Sequence, residues 1–112
     1  MSQARRARGA ASRLAGRHAE VLAAIWLMAK GYRILGFRLK TPQAEIDILA
    51  QRRGVLAVVE VKRRASLALA LETVTYDQRQ RLRRAGAALA ARRPSLAAAA
   101  VRLDLMALAP GR

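Results

Sequence analysis

With 112 residues the chain is long enough for one domain with a modest core and too short for a second. It has no cysteine and a single histidine, which excludes a disulfide framework, a thiolate metal site and a centre built from several histidines of one chain. Its 22 basic and 7 acidic side chains leave a net charge of +15, a balance that attracts polyanions, nucleic acid first and an anionic membrane second. Most of the cations are arginine, and a skewed genomic base composition accounts for part of that excess. The acids are more telling, because Glu20, Glu45, Asp47 and Glu60 fall where a site can be drawn around them. A metal held by such groups would be held by oxygen, as magnesium or manganese is, and not zinc.

Residues 1–13 carry Arg5, Arg6, Arg8 and Arg13 among small residues and read as a basic, mobile arm. A single domain is expected over residues 14–112. The pattern from about Ser12 to Lys30 is helical: Leu14, His18, Val21, Ile25 and Met28 recur every three or four residues and form the expected buried stripe. His18 then lies at the core edge, and Gly31 ends the helix, as a C-terminal glycine commonly does. Glu20 lies beside the stripe, placed either to reach the rim of a packed sheet or to pair with Arg17 in solvent. The apolar run Val21–Ala29 is too short to span a bilayer and no cleavage region follows it, so the expectation is a cytoplasmic protein that does not use a membrane.

Gly31 to Lys40 suggests a strand, ended by a turn at Thr41-Pro42. Ala44 to Arg64 then reads as a hairpin with charges where a core strand should have none. Side chains on a strand alternate faces, so Ile46 and Ile48 share one face and Glu45 and Asp47 the other; Val59 and Val61 likewise oppose Glu60 and Lys62. A two-residue loop at Arg53-Gly54 would set Asp47 opposite Glu60 and Glu45 opposite Lys62, with Cβ atoms about 4.5–5.5 Å apart; a loop at Arg52-Arg53 changes the partners but keeps all four groups on one face, and a three-residue loop breaks the arrangement. Two carboxylates that close repel unless a cation lies between them, which a divalent metal with a lysine at its rim would satisfy. Arg63 and Arg64 follow as candidate nucleic-acid contacts, and Ser66 to Leu71 reads as a loop.

A second helix begins near Thr75, where Thr75 and Gln78 match a capping box and Asp77 suits the positive helix end. Leu82, Ala85, Gly86 and Leu89 mark its packed face. The arginines around the rest, Arg79 and Arg83 among them, are either solvated or contact phosphates. Pro94 stops the helix. Ala98 to Leu108 closes the chain as a strand, with Val101, Leu103 and Leu105 on one face and Arg102 paired with Asp104 on the other. The order helix, strand, hairpin, helix, strand implies an α/β fold, a mixed central sheet flanked by helices.

Glu45-Ile46-Asp47, then twelve residues after Asp47, then Glu60-Val61-Lys62, resembles the core of the PD-(D/E)XK nucleases. A glutamate on the first helix makes the constellation more specific. From about Gly16 to Leu108 the chain also resembles the YraN-type family of small bacterial proteins, similar in fold to archaeal Holliday junction resolvases. The matching residues are Gly16, Glu20, Gly31-Tyr32, Glu45-Ile46-Asp47, Val59-Glu60-Val61-Lys62 and Arg102-Leu103-Asp104. Three places depart from the family pattern: Ala44 replaces a usual glycine, a glycine-containing segment after Lys62 is absent, and Gln78 stands where a lysine is usual.

The resemblance implies a restriction-endonuclease-like αβββαβ core and hydrolysis of phosphodiester bonds in DNA, branched DNA included. It implies that Asp47 and Glu60 hold Mg2+ or Mn2+ with the Val61 carbonyl, and that Lys62 orients or helps deprotonate the attacking water. Glu20 would take a water or a second ion, and Glu45 would neutralise Lys62 or an arginine. A homodimer would suit a junction substrate. Two other classes fit the charge: a non-catalytic nucleic-acid-binding module whose carboxylates and Lys62 form a structural ion-pair cluster, and a basic assembly protein that docks onto RNA.

Overall fold

The computed structural model describes residues 17–63, 68–69 and 74–108. The basic arm at 1–13, Leu14, Arg64 and most of the Ser66–Leu71 stretch lie outside the described residues. Residues 68 and 69 are helical where a loop was expected. A first helix, α1, covers residues 17–29. It is followed by β1 (Arg33–Lys40), β2 (Glu45–Arg52), β3 (Val55–Arg63), α2 (Tyr76–Arg92), a short 3-10 turn (Pro94–Leu96) and β4 (Ala100–Leu108). The strands form one sheet in the order β1-β2-β3-β4, antiparallel through β3 and parallel between β3 and β4, with α2 in the crossover. This is the mixed α/β architecture expected from the sequence, and it is compatible with an endonuclease-like core.

Local chemistry explains the boundaries. Gly31 has φ of +92°, and the Gly31 and Tyr32 amides donate to the carbonyls of Met28 and Leu27, which closes α1 with a left-handed residue at its end. Arg53 and Gly54 both have positive φ, 45° and 77°, as the tight turn that suits two twisted strands requires. At the start of α2 the Thr75 hydroxyl accepts from the Gln78 amide while the Gln78 side chain accepts from the Thr75 amide, the reciprocal cap expected there. The Thr41–Ala44 turn is held by the Thr41 hydroxyl, which accepts from the Ala44 amide at 3.0 Å.

The sheet carries apolar side chains on both faces. On one face Ala23, Ala24 and Leu27 of α1 cover Ile48, Ala50, Ala57 and Val59. On the other, Leu82, Ala85 and Ala90 of α2, with Leu96, cover Leu49, Leu56 and Val58. Ile46 joins this second cluster although Ile48 joins the first, so strict alternation fails at Asp47, contrary to the expectation that the two isoleucines share a face.

A second correction concerns α1. The buried face is Ala19, Ala23, Ala24 and Leu27, and the expected stripe of Val21, Ile25 and Met28 points outward, each about half exposed. His18 is exposed as well, not at the core edge. Both faces of this helix are apolar, so periodicity did not discriminate between them. The alanines win because they let the helix backbone settle onto the β2–β3 surface.

Helix α2 approaches the sheet closely at Gly86. A Cβ placed there would lie 2.4 Å from Val58 Cγ2 and 3.0 Å from Val101 Cγ1. We therefore expect Gly86→Ala to destabilise the fold by about 1–3 kcal/mol, because overpacking outweighs the gain of up to about 1 kcal/mol in helix propensity. Chemical denaturation of the two proteins checks this, and a variant as stable as the parent would contradict the close packing.

Candidate functional site

The antiparallel ladder of β2 and β3 has the register expected from a two-residue turn, but it stops early. It runs from Arg52 opposite Val55 to Ile48 opposite Val59. β3 meanwhile stays paired with β4 as far as Arg63 opposite Leu108. Asp47 and Glu60 are therefore the first residues past the last β2–β3 pair. In a continued ladder the Val61 amide would meet Ile46; instead it donates to Asp47 Oδ2 at 2.8 Å. The N–H and C=O of a strand residue point to the same side, so the Val61 carbonyl faces this gap as well.

The two carboxyl groups are in contact. Burial foremost, then the charge and hydrogen bond of Asp47, together raise the Glu60 carboxyl from its ordinary 4.5 to about 7, against the pull of Lys62. Lys62 Nζ lies 3.3 Å from Glu60 Oε1, and both side chains are largely buried. Glu60 therefore keeps its proton to higher pH than a solvent-exposed glutamate does.

Glu60 is set between two hollows. One, of about 250 Å³, is lined by Glu45, Glu60 and Lys62 from the strands, by Gln43 and Ala44 of the turn, and by Gln78, Arg81 and Leu82 of α2. The other, of about 170 Å³, is lined by Glu60, Arg79, Arg83, Leu103 and Leu105. Helical spacing puts Gln78 and Arg81 on one side of α2 and Arg79 and Arg83 on another, so the helix presents guanidinium groups to both. Arg79, Arg81 and Arg83 all belong to the arginine face that the sequence offers for phosphate contact.

Other expected members stand apart. Glu20 Oε1 accepts from Arg38 Nε at 2.9 Å, not from Arg17. Arg38 has φ of +47° and lies across from Asp47, between the Phe37–Ile48 and Leu39–Ile46 pairs. Nothing in the sequence pattern singled it out. Among the described residues no three acid or histidine side chains are grouped closely enough to hold a metal. Arg63 is exposed at the end of β3. The Gln78 side chain is committed to the Thr75 amide at 3.0 Å, so it does not replace a lysine in reaching outward. Arg102 pairs with Asp104 as expected and also donates to the Tyr32 hydroxyl, a contact between the final strand and the α1–β1 junction that spacing could not reveal.

The donor set nevertheless fits a hard cation. Two carboxylates and a carbonyl, all oxygen, meet where a strand ladder opens, and magnesium is commonly held by one or two carboxylates with water completing its shell. The raised Glu60 value has a consequence for stability. Between about pH 4.5 and 7 the unfolded chain has lost this proton while the folded one keeps it, so stability falls as pH rises through that interval. Glu60→Gln is expected to remove most of that slope and to raise stability at pH 8 by on the order of 1–3 kcal/mol. Thermal unfolding of both proteins at pH 5 and pH 8 is the check; parallel pH profiles would show that Glu60 carries no such penalty.

No helix among the described residues is long and apolar enough to cross a membrane. Residues 19–108 match the family described as "Uncharacterised protein family UPF0102". A UPF0102 protein of Caulobacter sp. (strain K31) is 76% identical over 108 residues, covering 96% of this chain and 78% of the relative. One from Caulobacter vibrioides (strain NA1000 / CB15N) is 64% identical over 108 residues, covering 96% and 86%. UPF0102 protein amb4503 of Paramagnetospirillum magneticum is 50% identical over 101 residues, covering 87% and 78%. The likeness read from Glu20, the Glu45–Asp47 segment and the Glu60–Lys62 segment thus extends over nearly the whole chain, which belongs to the UPF0102 family, the YraN-type proteins.

Proposed function

We propose that this protein hydrolyses phosphodiester bonds of DNA in a metal-dependent reaction, in the cytoplasm. The observation that carries the reading is the meeting of Asp47, Glu60 and Lys62 where the β2–β3 ladder opens, beside hollows lined by Arg79, Arg81 and Arg83. Asp47, Glu60 and the Val61 carbonyl would hold Mg2+ or Mn2+, which would supply Lewis-acid polarisation of the scissile phosphate and activation of water. Releasing the Glu60 proton frees both carboxylates for that role. Lys62 holds the attacking water with its ammonium group and stabilises the negative charge that develops on the phosphoryl oxygens. Arg79, Arg81 and Arg83 bind flanking phosphates, and the net charge of +15 adds affinity with little base reading. Glu20, freed from Arg38, would complete the acid set.

One observation favours a binding module without catalysis: Glu20 and Lys62 each have an ion-pair partner already, as in a structural cluster. The two readings separate experimentally. With magnesium or manganese, Asp47→Ala and Glu60→Ala are expected to abolish cleavage of branched or linear DNA while affinity stays similar or rises. Lys62→Ala is expected to keep metal binding and lose most of the rate, about 100-fold or more. Metal binding is followed by calorimetry and cleavage on gels. A folded parent protein that binds DNA and cuts none of a broad panel with either metal would establish the binding module instead.

DNA affinity should also fall by about 1,000-fold between about 50 and 200 mM salt if some six phosphates are contacted. Fluorescence anisotropy with duplexes of unrelated sequence measures this, and a flat salt response would remove the phosphate-binding surface.

A further inference from the structure

We infer that the outer face of α1 is a pairing surface for a second copy of this chain, helix against helix around a two-fold axis. This inference is independent of the nucleolytic reading. The inner face of α1 is met by the sheet through Ala23, Ala24 and Leu27, yet the larger apolar residues point away from it. Val21 is 51% exposed, Leu22 59%, Ile25 54%, Trp26 52% and Met28 53%. Single exposed apolar residues need no explanation, but five on one helix of thirteen described residues form a continuous patch. Five large side chains, each about half exposed, make a patch on the order of 500 Å². Doubled across a two-fold axis it reaches about 1,000 Å², the lower bound for a specific interface.

The spacing names the occupant. Val21, Leu22, Ile25, Met28 and Ala29 recur at three and four residues, the period with which one helix packs into the grooves of another. A second α1 supplies the same stripe. Placed antiparallel about Ile25, the two helices set Val21 against the small Ala29 and Leu22 against Met28, so large and small side chains interdigitate. A two-fold contact is self-complementary in this way by construction. Between Arg17 and Lys30 the helix has one charged residue, Glu20, and that is turned to Arg38. A lipid surface would call instead for cations spread along a free polar face, and the opposite face of α1 is the alanine face packed on the sheet. The acid pair's hollows are lined by α2, on the other side of the sheet, so pairing through α1 leaves them open.

The test uses the full chain in sedimentation velocity between about 1 and 100 μM, with emission of Trp26, the single tryptophan, read in parallel. The expected result is a monomer–dimer equilibrium accompanied by a blue shift of Trp26. Association should strengthen from about 0.05 to 0.5 M salt, because salt screens the repulsion of two +15 chains and does not weaken apolar contact. Ile25→Glu and Leu22→Glu should each raise the dissociation constant at least tenfold with unchanged circular dichroism. Ile25→Ser serves if a glutamate variant misfolds, and the parent's own concentration dependence needs no variant. A parent that stays monomeric to 100 μM overturns the inference, as does a dimer indifferent to all three substitutions. Binding of the monomer to phosphatidylglycerol vesicles that is lost in the same variants would assign this face to lipid and overturn it too.

Discussion

The ladder between β2 and β3 ends at Ile48 and Val59, and the chemistry of the molecule depends on that interruption. Had pairing continued, Asp47 and Glu60 would be a like-charged cross-strand pair, destabilising and without purpose. Because the strands part, Asp47 can turn its carboxylate onto the Val61 amide, and Glu60 can rest against it with a proton partly retained. The backbone donor lost by the sheet is recovered by a side chain, so the opening costs no unsatisfied amide at Val61. The position of Arg38 across from Asp47, in a left-handed conformation that L-residues seldom adopt, is consistent with distortion centred on the same point.

The two faces of the sheet have separate tasks. α1 closes its face with alanines and Leu27 and keeps its other bulky side chains outside; α2 closes the other with Leu82 and Ala85 and lets its N-terminal half overhang the acids. The parallel β4, reached through α2, fixes the far side of β3 along its whole length. β3 is thus rigidly held by one neighbour and released by the other, which is what positions Glu60 and Lys62 beside an opening instead of within a continuous sheet.

Much of this was legible in the residues. The Arg53-Gly54 turn set the hairpin register, and the register placed Asp47 beside Glu60. The Thr75–Gln78 cap set the start of α2, and Gly31 the end of α1. What escaped was the set of choices made by packing. Periodicity offered two apolar faces on α1, and only contact with β2 and β3 decided for the alanines. The Glu20–Arg38 pair and the Arg102–Tyr32 contact involve residues far apart in sequence, where no local pattern carries information, and the break of alternation between Ile46 and Ile48 runs against the local pattern itself. The UPF0102 resemblance was legible because its acids stand on adjacent elements at spacings that a hairpin dictates.

Gly86 has a mechanical consequence. Its lack of a side chain puts α2 in direct contact with Val58 and Val101, and helices cannot slide past such a contact without lifting. Any adjustment of the helix would therefore be a tilt about this pivot. Gln78, eight residues toward the N-terminus, is about 12 Å along the axis from it. A tilt of only about 10° would carry that end of the helix by about 2 Å, enough to widen or narrow the space over Glu60. The glycine thus seats α2 against the core about two turns away from the end that carries Arg79 and Arg81 beside the hollows around Glu60.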